Sequence, residues 1–222
     1  MARVLLDLVF PRRCVVCGED GESLCPDCDR SLRRLSGTMC SRCGAPTEWP
    51  VERCRECGGR RLAFAHARAA VVYDDSAKRL VAAWKERGQR TLASVAAEIV
   101  EDVVPRPSAY TVTFVPADHG RLLERGHNPA QRLALELGAR WQLPAVALLR
   151  RRFGIPRQKG LALADRRRNV RGIFEPTERS PTRVVLVDDV YTSGATVSAA
   201  ASALRKGGAR HVDVVTFARA VR

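Results

Sequence analysis

The sequence predicts an α/β protein with a mostly parallel sheet, preceded by a small zinc-binding module. Three observations carry that expectation. All eight cysteines fall before residue 58, arranged as four Cys-x-x-Cys pairs. Beyond them, short aliphatic runs alternate with amphipathic stretches of helical spacing. Finally, the segment VVLVDDVYTSGATVSAAASALRKGGA, Val184 to Ala209, reads in succession as strand, small-residue turn, helix and stop.

The cysteines come first in the chain. The pairs are Cys14 and Cys17, Cys25 and Cys28, Cys40 and Cys43, and Cys54 and Cys57. A Cys-x-x-Cys turn lets two thiolates grip one ion, and a glycine follows three of the pairs (Gly18, Gly44, Gly58), which suits a tight knuckle. Eight thiolates make two tetrahedral zinc sites. A secreted disulfide scaffold is the weaker reading, because Val4 to Phe10 is interrupted by Asp7 and lacks a small-residue cleavage site. Four tandem redox pairs are harder to justify than two metals. Neighbouring pairs leave spacers of 7 and 10 residues and interleaved pairs leave 22 and 25. Spacing alone does not decide between them, but neighbours close the shorter loops at lower entropy. Both sites read as structural, and with little core in 60 residues the metal supplies much of the folding energy.

A polar stretch, Gly58 to Arg61, divides residues 1–60 from residues 61–222. After it the sequence gives a short strand at Val71–Tyr73 and helices at Ala77–Arg87, ended by Gly88, and Leu92–Val103. Pro105 and Pro107 stop the chain. A strand follows at Thr111–Val115, then Pro116 and an irregular polar segment, a helix over about Asn128–Arg140 capped by Asn128, and a strand at Ala145–Leu149. Val184–Val187 is a continuous apolar run, as in a central parallel strand covered on both faces. The helix Thr196–Lys206 carries basic residues in its last turn and stops at Gly207-Gly208, and Val212–Phe217 returns as a strand. These last elements make a βαβ unit.

With 45% hydrophobic and 28% charged residues the chain has the balance of a globular domain, and no stretch reaches the roughly 18 apolar residues of a spanning helix. It reads as cytoplasmic. The net charge of +14 points to anionic partners. Residues 1–60 are nearly neutral, with ten basic and nine acidic side chains, whereas Arg150 to Arg171 holds nine basic residues against one acid, Asp165.

In parallel α/β sheets ligands sit beyond the carboxyl ends of strands. Thr192, Ser193, Gly194, Ala195 and Thr196 occupy that place. Their small side chains let main-chain N–H groups close around a phosphate at a helix N-terminus, with three hydroxyls as further donors. No Walker-type loop and no G-x-G-x-x-G fingerprint occurs. Asp188 and Asp189 would repel the phosphate unless they face another part of the ligand. A sugar phosphate resolves this, its ribose hydroxyls donating to the two carboxylates or meeting a Mg²⁺ held there.

VVLVDDVYTSGAT resembles the phosphoribosyl pyrophosphate (PRPP) signature of type I phosphoribosyltransferases. Together with the cysteine pairs, WKERG (Trp84–Gly88), FVPADHGRLLERGHN (Phe114–Asn128) and RQKGLALADRRRNVRGIF (Arg157–Phe174), it is similar to the ComF (GntX-like) competence family over nearly the whole chain. The resemblance implies a sheet of the type I phosphoribosyltransferase kind. It implies a pyrophosphate loop at Pro116, Ala117 and Asp118 with Arg121 and Arg125 nearby, and a flexible loop at Gln158–Arg171 that includes Lys159, Arg168 and Asn169. His127 and Pro129 stand where the family has an aromatic residue and a glutamine. The activity so implied is PRPP binding with possible phosphoribosyl transfer, in which positioning and charge stabilisation do the chemistry. Two alternatives stand beside it. One is a competence or DNA-uptake factor binding single-stranded DNA with a helicase partner. The other is a PRPP or nucleotide sensor without turnover. No acid–base pair stands out, and His66, His119, His127 and His211 read as surface or packing residues.

Overall fold

A computed structural model describes residues 12–152 and 172–221. In chain order these residues form α1 (Pro26–Ser31), β1 (His66–Val72), α2 (Asp75–Lys85), α3 (Leu92–Val103), β2 (Thr111–Phe114), α4 (His119–Arg125), α5 (Pro129–Trp141), β3 (Leu149–Arg151), β4 (Phe174–Pro176), β5 (Arg183–Tyr191), α6 (Ala195–Lys206) and β6 (His211–Arg219). The main sheet runs β1-β6-β5-β2 and all its pairings are parallel. β3 and β4 pair antiparallel as a separate ribbon.

Alternation along the strands divides the core in two. Val185 and Val187 of β5 face α2, α3 and α5, together with Trp84, Leu133 and Leu137. Val184 and Leu186 face α6, together with Val197, Ala201 and Leu204. The cysteine segment contributes to both sides. Cys14, Cys28, Leu24 and Leu32 join the first cluster. Cys40, Cys43, Cys57 and Phe64 join the second. Between the two sets the chain runs along the outer edge of β1, where Leu35 N–H donates to the Ala70 carbonyl at 2.8 Å and Val72 N–H to the Arg33 carbonyl at 2.8 Å. The segment therefore covers an edge strand that would otherwise present unpaired main-chain groups.

The helices start and stop where their sequences direct. Asp74 caps α2 by accepting from Ala77 N–H at 3.1 Å. Asn128 caps α5 by accepting from Ala130 N–H at 3.1 Å, and Pro129 takes the first helical position, where no N–H is needed.

Four elements differ from expectation. β1 begins at His66 instead of Val71, because its first residues carry no β-branched run to announce them. β5 continues past Val187 through both aspartates to Tyr191, held by β6. The expected strand Ala145–Leu149 makes a single bridge, Ala145 to Val112, before the chain leaves the sheet and enters β3. The segment after Pro116, expected to be irregular, contains α4, which buries no residue and so leaves no apolar face to read. The expected linker ends against the sheet domain, with Arg60 Nη2 donating to the Ser193 carbonyl at 2.6 Å.

Candidate functional site

The sulfurs fall into two sets, Cys14, Cys17, Cys25 and Cys28, and Cys40, Cys43, Cys54 and Cys57, each with its ligand atoms within 4.8 Å of one another. Neighbouring pairs thus share a site. A tetrahedron of sulfurs about 2.3 Å from zinc has edges of about 3.8 Å. The sulfur separations are 3.7 Å for Cys17–Cys25, 3.6 Å for Cys40–Cys57, 3.5 Å for Cys43–Cys54 and 3.9 Å for Cys54–Cys57, so the residues fit the ion. Burial pushes the Cys14 thiol up, but N–H groups of Cys17, Cys25 and Val16 outweigh it and bring it down to about 6. Cys40 follows the same pattern and falls to about 7. Burial and neighbouring sulfurs raise Cys28. A cation is what lets four such thiols ionise together.

The second candidate site lies at the carboxyl edge of the sheet. Phe114 pairs with Val187, and Val115 N–H donates to the Val187 carbonyl at 3.0 Å. The loop Pro116–Asp118 thus leaves β2 beside the point where β5 presents Asp188 and Asp189. β5 then enters the turn Thr192–Thr196, where Gly194 adopts φ +70° and opens α6. A side chain at Gly194 would collide with the Tyr191 ring beneath it. Ser193 Oγ accepts from Ala195 N–H at 3.4 Å. Among the described residues the N–H groups of Ser193, Gly194, Thr196 and Val197 meet no acceptor. Such a turn is the geometry that takes an anion. The Tyr191 hydroxyl, buried under the turn, also lacks a partner among the described residues.

The two aspartates are not alike. Asp189 is buried and its Oδ2 lies 2.6 Å from Lys85 Nζ, at the end of α2. Asp188 turns Oδ1 back to accept from Asp189 N–H at 3.0 Å. Burial first, and the charge of Asp189 second, push the Asp188 carboxyl up to about 8, with Lys85 opposing. Lys85 therefore neutralises one carboxylate, and the other stays protonated below that pH. The acidic pair beside the turn therefore carries less negative charge than two free carboxylates would.

The remaining expected residues are placed as follows. Asp118 meets Arg151 Nε at 3.4 Å. Arg121 is exposed on α4. Arg125 is gripped through Nε and Nη2 by both carboxylate oxygens of Glu86. Lys159 and Arg168 lie outside the described residues, as does most of the basic block. Of that block, Arg150 and Arg152 both pair with Glu175. His127 is buried, its Nδ1 2.9 Å from the Arg125 carbonyl and its Nε2 3.0 Å from the Trp84 carbonyl, so it ties the end of α4 to the end of α2.

Sequence reasoning missed Lys85 and Arg219. Lys85 lies in the WKERG stretch, whose adjacent cation and anion were the available signal. Arg219, 1% exposed, had none. Its Nη1 donates to the Cys43 carbonyl at 2.7 Å and its Nη2 to Glu56 Oε2 at 2.6 Å.

The sheet, its helices and the cysteine segment make up a mostly parallel α/β fold preceded by a module with two four-cysteine sites. A family model described as a double zinc ribbon domain matches residues 5–58. The chain is similar along nearly its whole length to competence proteins. It is 28% identical to Competence protein F of Haemophilus influenzae over 95% of this chain and 98% of that one. It is 27% identical to Competence protein ComFC of Bacillus subtilis over 89% and 85%, and 27% identical to DNA utilization protein YhgH of Salmonella typhi over 88% and 90%. Among solved structures, the glutamine PRPP amidotransferase from B. subtilis complexed with ADP and GMP overlaps 58% of this chain and 26% of its own, at 23% identity and a TM-score of 0.38. The purine phosphoribosyltransferase from Pyrococcus horikoshii overlaps 61% and 73%, at 22% identity and a TM-score of 0.30. Among the described residues no helix is long and apolar enough to cross a membrane.

Proposed function

We propose that this chain binds PRPP, as its Mg²⁺ complex, at the carboxyl edge of the sheet. One observation carries the reading: among the described residues, the turn Thr192–Thr196 offers main-chain N–H groups that meet no acceptor, directly after a strand that carries Asp188 and Asp189 near its carboxyl end. The 5-phosphate takes the turn. Asp188 and Asp189 face the ribose hydroxyls or the Mg²⁺, and Pro116–Asp118, with Arg121, approaches the pyrophosphate. Lys159 and Arg168 belong to the segment that would close over it. Mg²⁺ supplies charge neutralisation on the pyrophosphate oxygens. If transfer occurs, the chain's part is to hold the ribose while positive charge develops at the anomeric carbon. A sensor without turnover would bind and release no pyrophosphate when acceptors are added. Residues 1–60 act as the zinc module that braces this domain.

Calorimetry with PRPP and Mg²⁺ on the native protein and on the Asp188→Asn, Asp189→Asn double variant is the test. Binding lost with both carboxamides supports the reading, and equal affinity of the two forms removes the aspartates from the ligand.

A second reading, a role in DNA uptake through contact with single-stranded DNA, is favoured by the relatives' names and by a cleft of about 580 Å³ on the α6 side. That cleft is lined by Arg60, Arg61, Lys206, Ser198 and Ser202. Neither Asp188 nor Asp189 lines it, although Ala195 of the turn does, so substitutions at Arg61 and Lys206 test this contact without touching the carboxylates. DNA affinity that falls steeply with salt, and falls further in Arg61→Ala with Lys206→Ala, supports this contact. Affinity indifferent to salt sinks it. A helicase partner belongs to the same reading.

A further inference from the structure

We propose a third metal site, made by His66, His211 and Asp213 at the amino edge of the sheet. It lies at the end of the strands opposite Asp188 and Asp189. His66 opens β1, and His211 and Asp213 open the adjacent β6. The parallel register sets His66 directly beside Asp213, and Asp213 lies two residues from His211 on the same face of its strand. The three side chains therefore converge through the sheet's own geometry.

The atoms meet at metal-ligand spacing. His66 Nδ1 lies 3.0 Å and His211 Nε2 lies 3.1 Å from the same Asp213 oxygen, and all three atoms fall within 4.8 Å of one another. Ligands about 2.1 Å from an ion stand about 3.0 Å apart at a right angle and about 3.4 Å apart in a tetrahedron. The rings are tilted by 48° with centroids 5.7 Å apart, so they do not stack flat. Asp213 is the anchor: its side chain is 15% exposed, while His66 and His211 are 51% and 32% exposed and open to solvent. The charges beside the cluster are directed elsewhere. Arg183, in register with His211, donates Nε to the Ser108 carbonyl, and Arg68 donates to the Ser41 and Ala67 carbonyls.

Two imidazoles and one carboxylate suit a divalent first-row cation of borderline softness such as Zn²⁺, Co²⁺ or Ni²⁺, and disfavour Mg²⁺ and Ca²⁺. Three ligands on one side leave the remaining positions to water. The ion joins β1 to β6 just where the chain emerges from the second cysteine set, so it staples the zinc module's exit to the centre of the sheet.

The test uses the full-length protein with both cysteine sites filled with zinc, titrated with Co²⁺ at neutral pH. The expected result is one further equivalent per chain, with weak visible bands and without the intense near-ultraviolet absorption of cobalt bound to thiolate. His66→Ala and His211→Ala should each lose that equivalent while keeping both zincs, and Asp213→Asn should weaken it at least about tenfold. The absence of a saturable extra equivalent overturns the site, as does uptake that persists in the double histidine variant.

Discussion

The guanidinium of Arg219 lies over the ring of Tyr191, 4.5 Å from its centroid, and its other side donates to the Cys43 carbonyl. One buried side chain thus touches both the second zinc set and the residue beneath the phosphate turn. Arg60, which follows the last cysteine pair, reaches the same turn through the Ser193 carbonyl. The zinc module is therefore part of the support of the candidate PRPP site.

Replacing Arg219 with Leu should unmake that support. The variant leaves Glu56 and the Cys43 carbonyl without their donor and removes the cation from the Tyr191 face. We expect a loss of about 3 kcal/mol in denaturant unfolding and at least a tenfold loss in PRPP affinity. Unchanged affinity in a folded, zinc-loaded variant would show the turn to be independent of the module.

Lys85 and Asp189 form a pair that is largely shielded from solvent. Lys85→Met should destabilise the fold by about 3 kcal/mol, because a buried carboxylate loses its counter-ion. Adding Asp189→Asn should recover most of that stability, since neither charge then remains. It should not recover PRPP binding. A double-mutant cycle read by both stability and calorimetry separates these two roles, and additive losses in stability would refute the pairing.

The Asp188 carboxyl, raised to about 8, sets a pH window. Its pKa is higher in the folded chain than in the unfolded one, so its contribution to stability is complete below about pH 4 and is lost as pH rises through 8. A carboxylate that accepts ribose hydroxyls or meets Mg²⁺ must be ionised. PRPP–Mg²⁺ affinity should therefore strengthen between pH 6.5 and about 8.5, with proton release below the upper limit, as calorimetry in buffers of differing ionisation enthalpy would register. Asp188→Asn should flatten the profile.

Zinc removal should unfold more than residues 1–60. Cys14 and Cys28 pack into the core on one face of the sheet and Cys40, Cys43 and Cys57 into the core on the other, while residues between them cover the edge of β1. Each structural site is worth on the order of 10 kcal/mol at neutral pH. Chelation should give one cooperative loss of circular dichroism across the chain. Two separate transitions would show that the sheet domain stands without the module.

What could be read from the sequence was what neighbours in the chain determine. The knuckles, the caps at Asn128 and Gly207, and the strand–turn–helix at Val184–Lys206 are local, and each was legible. The sharing of sulfurs was legible in part, through the lower entropy of shorter loops. Lys85, Arg219 and the convergence of His66 with His211 were not, because each depends on a partner more than 100 residues away, or on the register between β1 and β6. α4 escaped because a helix with no buried face has no periodic signal. Arg125 was expected near pyrophosphate, and nothing in its own segment announced Glu86, 39 residues earlier.

Gly194 offers the most local test of the phosphate turn. Its φ of +70° is a conformation that costs a residue with a side chain about 1 kcal/mol. A Cβ there would also stand 2.5 Å from Tyr191 Cζ, so the turn would have to lift away from the ring. The amides that meet no acceptor would then splay. Gly194→Ala should lower affinity for PRPP and for ribose 5-phosphate by the same factor, because the damage falls on the subsite that both share. Inorganic pyrophosphate, which lacks the sugar phosphate, should bind the variant as well as the native protein. Tyr191→Phe separates the ring from its hydroxyl: the ring still supports the turn, and the hydroxyl, which has no partner among the described residues, is lost without leaving a donor or acceptor unpaired. That variant should be as stable as the native protein or slightly more so, with ribose 5-phosphate affinity preserved. An unimpaired Gly194→Ala would mean that the phosphate does not bind over these amides.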